Sequence, residues 1–246
     1  MPKFFVLPQD FHQDFVKISG FDAKHITKVL RKSSGDDIIV CDGCGFDYHT
    51  VIQEVCGQEI LLKILDKQKN LCEPEVKVTL YQCVPKGSKM DEVVQKCTEL
   101  GVSAIVPFLS HRTVVKDDKE GFAKKTVRWQ KTVDESVKQC MRGMIPRVSP
   151  VLSFSEMLER AKQHTLCLMP YENCRTTDLK TALQQAGDCL DVGIIIGSEG
   201  GFEESEVEQA ENLGIVPVTL GRRILRTETA GAAVLGCVMY QLDQMK

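Results

Sequence analysis

The chain has no uninterrupted apolar run approaching the roughly 20 residues that a membrane helix needs, although 43% of its 246 residues are hydrophobic. Residues 1–10 hold too short an apolar stretch for a secretory leader, so a cytoplasmic address is the expectation. An excess of positive charge is also missing. Lys and Arg total 31 against 34 Asp and Glu, a formal net charge of −3. That balance argues against a chain that is basic overall, as many small nucleic-acid binders are, but a total says nothing about local patches. There is no second close cysteine pair. Eleven cysteines are irregularly spaced, and only Cys41-Asp42-Gly43-Cys44 has C-x-x-C spacing, with no H-x₃₋₅-H to complete a zinc set. They read as reduced, mostly buried small hydrophobes, with no metal expected. Asp42-Gly43 sits between strand-like runs and reads as a hairpin turn. Internal repeats and low-complexity tracts are absent too. The length suits one large or two modest domains.

Divided along the chain, the charge becomes informative. Residues 1–72 hold 9 basic and 10 acidic side chains, net −1. Residues 73–148 hold 14 and 10, net +4, and residues 149–246 hold 8 and 14, net −6. Within the middle segment, residues 112–147 carry ten basic residues against five acidic ones. A solvated helix face ordinarily explains such a run, yet no other stretch is suited to docking a polyanion.

The first seventy residues predict a small, mostly β module. Strand-like runs at 38–41, 47–52 and 59–65 are separated by glycine-containing turns, with a short helix at 23–32 and a polar linker at 66–70. From residue 76 onward strands and helices alternate. Strands are expected at 76–84, 104–109, 166–169, 192–196 and 216–220. Helices are expected after a capping signature at Ser88-Lys89-Met90-Asp91, over 124–141, after Ser153, and over 177–186, 203–213 and 228–242. This alternation implies an α/β fold with a mostly parallel sheet covered by helices on both faces. The division drawn from it is a β module over 1–72 and an α/β domain over 73–246.

In open α/β sheets, ligands bind beyond the C-terminal ends of strands. Three such ends stand out, at residues 168–172, 196–202 and 220–230. The glycine loop Gly197-Ser198-Glu199-Gly200-Gly201 lacks both the G-x-G-x-x-G spacing and the Lys-Ser/Thr of a phosphate loop. Glu199, Glu203, Glu204 and Glu206 crowd it, so a phosphate there would meet carboxylates. An adenosine-bearing ligand without phosphate, or one carrying positive charge such as the sulfonium S-adenosylmethionine, meets no such repulsion. The alternative is that these glutamates only cap the following helix, and charge alone leaves the two readings even.

The run Ile196-Gly197-Ser198-Glu199-Gly200-Gly201-Phe202, followed by Leu220-Gly221-Arg222-Arg223-Ile224-Leu225-Arg226-Thr227-Glu228-Thr229-Ala230, resembles the signature of the RsmE family. These are 16S ribosomal RNA uridine-N3 methyltransferases of the SPOUT superfamily. The resemblance covers nearly the whole chain. His25-Ile26-Thr27-Lys28-Val29-Leu30-Arg31 with Gly35-Asp36 and Asp42-Gly43 resembles the family's PUA-like β-barrel. Lys96-Cys97-Thr98-Glu99-Leu100-Gly101-Val102, Ser110-His111-Arg112, and Gln139 with Arg142 and Pro146 are similar to its central motifs. Ser198 departs from the family's usual proline, and Gln139-Cys140-Met141-Arg142 from its usual small, polar spacing.

The resemblance implies a trefoil-knotted SPOUT methyltransferase domain behind a PUA-like RNA-binding barrel, working as a cytoplasmic homodimer through the last helix. It implies S-adenosyl-L-methionine as cofactor, held by Met169, Gly197, Glu199, Gly200, Leu220, Ile224, Leu225 and Thr229, and 16S rRNA or the small ribosomal subunit as substrate. Neither DNA nor a membrane is an expected partner. Because uridine N3 must lose a proton, a catalyst needs a base or a stabiliser of the developing imide anion. Arg226 is the first candidate for that role and Arg112 the second, while Glu228 is a candidate to orient Arg226, accept the proton or cap the last helix. His25, His111 and His164 are possible bases by type. RNA contacts are expected from Arg31, Lys86, Lys89, Arg112, Arg128 and Arg142. The readings left open are a SPOUT enzyme acting on another base or on tRNA, and a non-catalytic RNA-binding assembly factor.

Overall fold

The structure is a computed structural model in which residues 3–245 are described; Met1 and Pro2 of the opening segment, and Lys246, lie outside the described residues. The chain forms two compact units. One comprises residues 1–73 with 137–145, the other residues 74–136 with 146–246.

The first unit is built on a mixed six-stranded sheet. Its strands are β1 (Lys3–Phe5), β2 (Phe11–His12), β3 (Phe15–Ser19), β4 (Asp37–Cys41), β5 (Phe46–Cys56) and β6 (Glu59–Lys69), in the order β1-β4-β5-β6-β3-β2. Only the β1–β4 pair is parallel. Alternation along the strands sends Val16 and Ile18, Ile38 and Val40, and Ile60 and Leu62 into a core shared with Phe4, Ile26 and Ile52. As expected, Asp42-Gly43 turns the chain between β4 and β5: Asp42 Oδ1 accepts the Cys44 and Phe46 N–H groups, and Gly43 has φ +70°. The 66–70 linker is corrected. β6 continues through Lys69 because β5 runs equally long opposite it, pairing Phe46 with Lys69 and His49 with Asp66. Polar composition there marks a solvated strand.

The helix expected at 23–32 starts earlier, as α1 (Gly20–Lys24), and widens into a π turn over His25–Val29. Leu30 N–H donates to His25 O, Lys32 N–H reaches back to Ile26 O, and Arg31 closes the element with φ +55°.

Residues 137–145 complete this unit through a buried ion pair. Glu73 accepts from Arg142 Nη2 at 2.9 Å and from the Gly143 and Met144 N–H groups at 2.7 and 2.8 Å. Arg142 is only 3% exposed, which corrects its expected role as a contact for RNA. A guanidinium desolvated against a carboxylate is not available to phosphate.

The second unit is a seven-stranded sheet in which every pairing is parallel. Its strands are β7 (Lys77–Cys83), β8 (Ala104–Leu109), β9 (Arg147–Val148), β10 (Leu152–Ser153), β11 (Leu166–Pro170), β12 (Asp191–Ile196) and β13 (Val216–Val218). The order is β10-β8-β7-β12-β11-β13, with β9 also on β8. The central run Val-Gly-Ile-Ile-Ile of β12 is apolar throughout because both faces are covered, and β7 is buried from Leu80 to Cys83 although it carries Gln82. On one face, α4 (Phe154–Ala161) and α6 (Glu204–Glu211) enclose Tyr81, Phe108, Met157, Met169, Ile195 and Phe202. α7 (Thr227–Gln241) packs on β7 and β12 and against α2 (Lys89–Glu99). The unit is completed by α5 (Leu179–Ala186) and by most of α3 (Lys119–Gln139). The capping box at Ser153–Glu156 forms, whereas Ser88, the residue preceding α2, makes no side-chain cap. Among the described residues no helix is long and apolar enough to cross a membrane.

Candidate active site

β12, β11 and β13 lie side by side and run the same way, so Ile196, Pro170 and Val218 end on one edge of the sheet. The loops that follow enclose a cavity of about 940 Å³. That is the size of a pocket for a nucleoside-bearing ligand. Its walls are residues of the glycine loop and of 219–227, with the apolar residues Ile196, Phe202, Leu220, Ile224 and Leu225 among them. Glycine is required where the chain crowds its neighbours. A Cβ on Gly197 would sit 3.0 Å from the Phe202 ring, and Gly201 has φ +68°.

A buried polar chain holds the loop. Gln82, fully buried on β7, donates from Nε2 to Thr227 Oγ1 at 2.9 Å, and Thr227 donates to Gly197 O at 2.7 Å. The first residue of α7 is thereby tied to the first residue of the glycine loop. Gln82 carries no motif, and its part in the site was not legible in the sequence. Ser198 tightens the loop: its hydroxyl accepts Gly200 N–H and donates to Arg112 O, both at 3.3 Å.

The acidic residues are largely engaged within the protein. Glu199 accepts from Lys89 Nζ at 2.8 Å and from Lys86 N–H at 3.1 Å. Burial works to raise the Glu199 carboxyl, but those hydrogen bonds and the Lys89 charge outweigh it and hold it below its ordinary value. The hydrogen bond to Glu199 pushes the Lys89 ammonium up, despite desolvation and the nearby Arg226 charge. Glu228 adds an ion pair to Lys89 at 3.7 Å, its Oε2 buried without a hydrogen bond. Glu203 meets His111 Nδ1 at 2.8 Å, and buried Glu206 accepts the His111 and Glu203 N–H groups. Capping therefore accounts for Glu206, whereas Glu199 faces the cavity with its charge balanced by Lys89.

Six of the eight expected cofactor residues line the cavity: Gly197, Glu199, Gly200, Leu220, Ile224 and Leu225. Met169 does not, because its side chain is fully buried in the core beneath, and Thr229, the third residue of α7, is outside the lining. The loop after β11 contributes Tyr171 and Glu172, which sequence reasoning placed at a strand end without assigning them, and Cys174, which it did not single out. Arg226 lines the cavity, is exposed, and makes no ion pair among the described residues. Arg112 lies outside the lining and braces the loop, donating from Nη1 to Gly200 O at 2.9 Å. Of the histidines, His164 sits at the opposite end of the sheet, bonded to Tyr81 OH and Asp191, while His25 belongs to the first unit. None lines the cavity. The basic middle stretch is thinned by ion pairs, Arg128 to Asp91, Lys125 to Asp117, Lys124 to Glu120 and Lys138 to Asp22.

Residues 72–239 match the family model of the RNA methyltransferase domain, and residues 18–65 match that of the RNA methyltransferase PUA domain. By class the chain is an RNA methyltransferase with a PUA domain. It is 35% identical to the ribosomal RNA small subunit methyltransferase E of Bacillus subtilis over 233 residues, 93% of this chain and 91% of that one. The Synechocystis enzyme of the same name is 32% identical over 97% of this chain and 77% of its own. The crystal structure of a ribosomal RNA small subunit methyltransferase E from Neisseria gonorrhoeae, bound to S-adenosyl methionine, superposes with a TM-score of 0.83 at 30% identity, covering 98% of this chain and 97% of that one. The chain belongs to the ribosomal RNA small subunit methyltransferase E family.

Proposed function

We propose that this protein methylates N3 of a specific uridine in the 16S rRNA of the small ribosomal subunit, with S-adenosyl-L-methionine as donor. The observation that carries the reading is the convergence of three strand-end loops on one cavity whose wall includes Arg226, which makes no ion pair among the described residues. The residues fit the donor. Backbone of the glycine loop and of 219–227 can meet an adenosine and an amino-acid moiety, Leu220, Ile224 and Leu225 offer apolar cover, and Glu199 places a carboxylate at the wall. When bound, the cofactor supplies an electrophilic methyl group on a sulfonium.

The chain supplies position and electrostatics. Arg226 presents a planar fork of donors to the uracil oxygens, where negative charge develops as N3 loses its proton. Its backbone is held extended, at φ −63° and ψ 150°, by the start of α7, whose Thr229 and Ala230 N–H groups donate to Arg226 O. Lys89, Glu199 and Glu228 fix the charges around it, so Lys89 and Glu228 act as positioning residues, and Arg112 does so through Gly200.

The same reading takes residues 73–246 as a trefoil-knotted SPOUT domain and residues 1–72 as the RNA-binding PUA-like barrel, in a cytoplasmic homodimer joined along α7. Ala233, Cys237 and Tyr240 lie exposed on that helix, whereas Leu235 and Met239 are buried in their own chain. Arg31, Lys86 and Arg128 remain the exposed candidates for phosphate contacts. The test is tritiated methyl transfer onto small-subunit RNA from a strain lacking the modification, followed by nucleoside analysis. 3-Methyluridine is expected. A different methylated nucleoside, or transfer only to tRNA, rejects the specific assignment. No transfer, with no binding of S-adenosylhomocysteine at millimolar concentration, leaves a non-catalytic RNA-binding factor.

A further inference from the structure

Gln82 is fully buried near the C-terminal end of β7, paired in register with Ile196, the last residue before the glycine loop. Its amide is oriented by its neighbours. Thr227 has one hydroxyl hydrogen and gives it to Gly197 O at 2.7 Å, so toward Gln82 it can only accept, and Nε2 donates to it at 2.9 Å. The second Nε2 hydrogen goes to Cys83 O at 3.0 Å. The carbonyl oxygen Oε1 is left without a hydrogen-bond partner among the described residues. A buried, unpaired amide oxygen costs stability that an apolar side chain of the same length would not. A position that needed only filling has no use for glutamine.

Oε1 is turned toward α7. A Cβ added to Gly231 would stand 3.4 Å from Oε1 and 3.5 Å from Leu80 Cδ1, so the helix lies close over this strand. Thr227 and Gly231 are four residues apart and share one helix face. The amide thus lies beside α7 at two successive turns, hydrogen-bonded at the first and close to the helix at the second, and it indexes α7 along its axis. Local capping does not do this. Arg226, the residue before the helix, makes no side-chain cap, and the Thr227 hydroxyl is turned away to Gly197. The ion pair of Glu228 with Lys89 also tethers this turn, but at 3.7 Å and partly exposed.

We infer that Gln82 is a positioning residue for methyl transfer, holding the first turn of α7 so that Arg226 meets the uracil oxygens beside the glycine loop. Gln82 does not line the cavity and acts through Thr227, the residue that follows Arg226 in the chain. This role is separate from the stability of the polar chain, and it rests on the reading of Arg226 as the group that stabilises the developing imide anion. A misplacement of about 1 Å at the reacting groups costs about 10²-fold in rate. Successive helix residues rise by about 1.5 Å, so α7 need slip by less than one residue to have that effect.

The experiment is single-turnover methyl transfer to small-subunit RNA by the full chain, comparing the wild type with Arg226→Ala, Gln82→Met and the two combined. It is run at a temperature where circular dichroism shows every variant folded. Transfer is counted as methyl groups whatever nucleoside carries them, so the comparison stands even where the methylated base differs from the one assigned. Gln82→Met keeps the length of the side chain and removes its donor; Gln82→Leu takes its place if the thioether is not accommodated. Gln82→Met should slow transfer by about 10- to 100-fold. Affinity for S-adenosylhomocysteine should stay within about twofold of the wild type, because Thr227 keeps its bond to Gly197 O. The combined variant should be slower than Arg226→Ala by no more than about threefold, since a group acting through Arg226 has nothing to position once the guanidinium is gone. A glutamine with only a structural role would slow the Arg226→Ala protein by the same factor as the wild type. That result overturns the inference and leaves the methyltransferase reading standing. So does a Gln82→Met protein as fast as the wild type beside a slow Arg226→Ala, or one that loses cofactor affinity in step with rate. Arg226→Ala transferring at the wild-type rate overturns the role of Arg226 and this inference with it. A wild type that transfers nothing rejects the enzymatic reading itself.

Discussion

Thr227→Val tests the polar chain beneath the cavity. The substitution keeps the shape of a side chain that is 6% exposed and removes its hydroxyl. Two hydrogen bonds are lost, to Gly197 O at 2.7 Å and from Gln82 Nε2 at 2.9 Å. Each contributes about 1 kcal/mol net, and stranding the buried partners adds about 1 kcal/mol more. The addition is modest because Gln82 Nε2 keeps a bond to Cys83 O at 3.0 Å. The expected loss is therefore about 3 kcal/mol, which for a chain of this length lowers the melting temperature by about 6–12 °C. The assay is thermal unfolding followed by tryptophan fluorescence. Trp129 is the single tryptophan, fully buried in the second unit, so the signal reports that unit without the first. Thr227→Ser should retain most of the stability. Gln82→Leu combined with Thr227→Val should lose clearly less than the two single losses added together, because the same bond is broken twice. A Thr227→Val protein melting within about 2 °C of the wild type, or strict additivity in that cycle, would refute the chain as a structural link.

Arg226→Ala should lower single-turnover methylation by about 10²–10³, the effect of removing one preorganised donor to a developing anion, with little change in S-adenosylhomocysteine affinity by calorimetry; equal losses in both would make Arg226 structural. Arg142→Ala should destabilise the first unit by about 3–5 kcal/mol, because it leaves Glu73 buried and unpaired, without altering the salt dependence of RNA binding; a weaker RNA affinity at unchanged stability, by circular dichroism, would count against this. Glu199 is depressed below its ordinary 4.5 and Lys89 raised above 10.5, so the contribution of their pair is present between those values and lost as pH falls through the lower one or rises through the upper. Cofactor affinity should thus be flat from about pH 6 to 9 and decline toward acid, and Glu199→Gln should abolish the acid decline; an unchanged acid limb would be the contrary result. Alkylation at mild alkaline pH, mapped by mass spectrometry, should reach exposed Cys44 and Cys72 first, and should spare Cys41, Cys97 and Cys167, whose thiols burial pushes up to about 12. Early labelling of Cys97 would contradict the packing of α2 against α7.

The strands of the parallel sheet were legible because a strand covered on both faces is apolar almost throughout, as 104–109 and 192–196 are, while 76–84 shows an alternation of apolar and polar residues. The glycine loop and the 220–230 loop were legible from their place at strand ends and from their residue order, and six of eight expected cofactor residues do line one cavity. What failed was long-range. Arg142 is an ordinary arginine until Glu73, 69 residues away, meets it in a buried site. Lys89 was expected to face phosphate, and in the fold it is the counter-ion of Glu199. The polar 66–70 segment is a strand because β5 happens to run alongside it.

Local pattern thus determined which segments are strands and helices, where the turns fall, and which loops bear the chemistry, since periodicity, capping and glycine act over a few residues. Partnership was decided by the tertiary structure alone. A charged or amide side chain takes its role from what lies within about 3 Å of it, and that neighbour is set by chain closure, not by sequence distance. Gln82 beneath the glycine loop and Glu73 around Arg142 are two results of that closure.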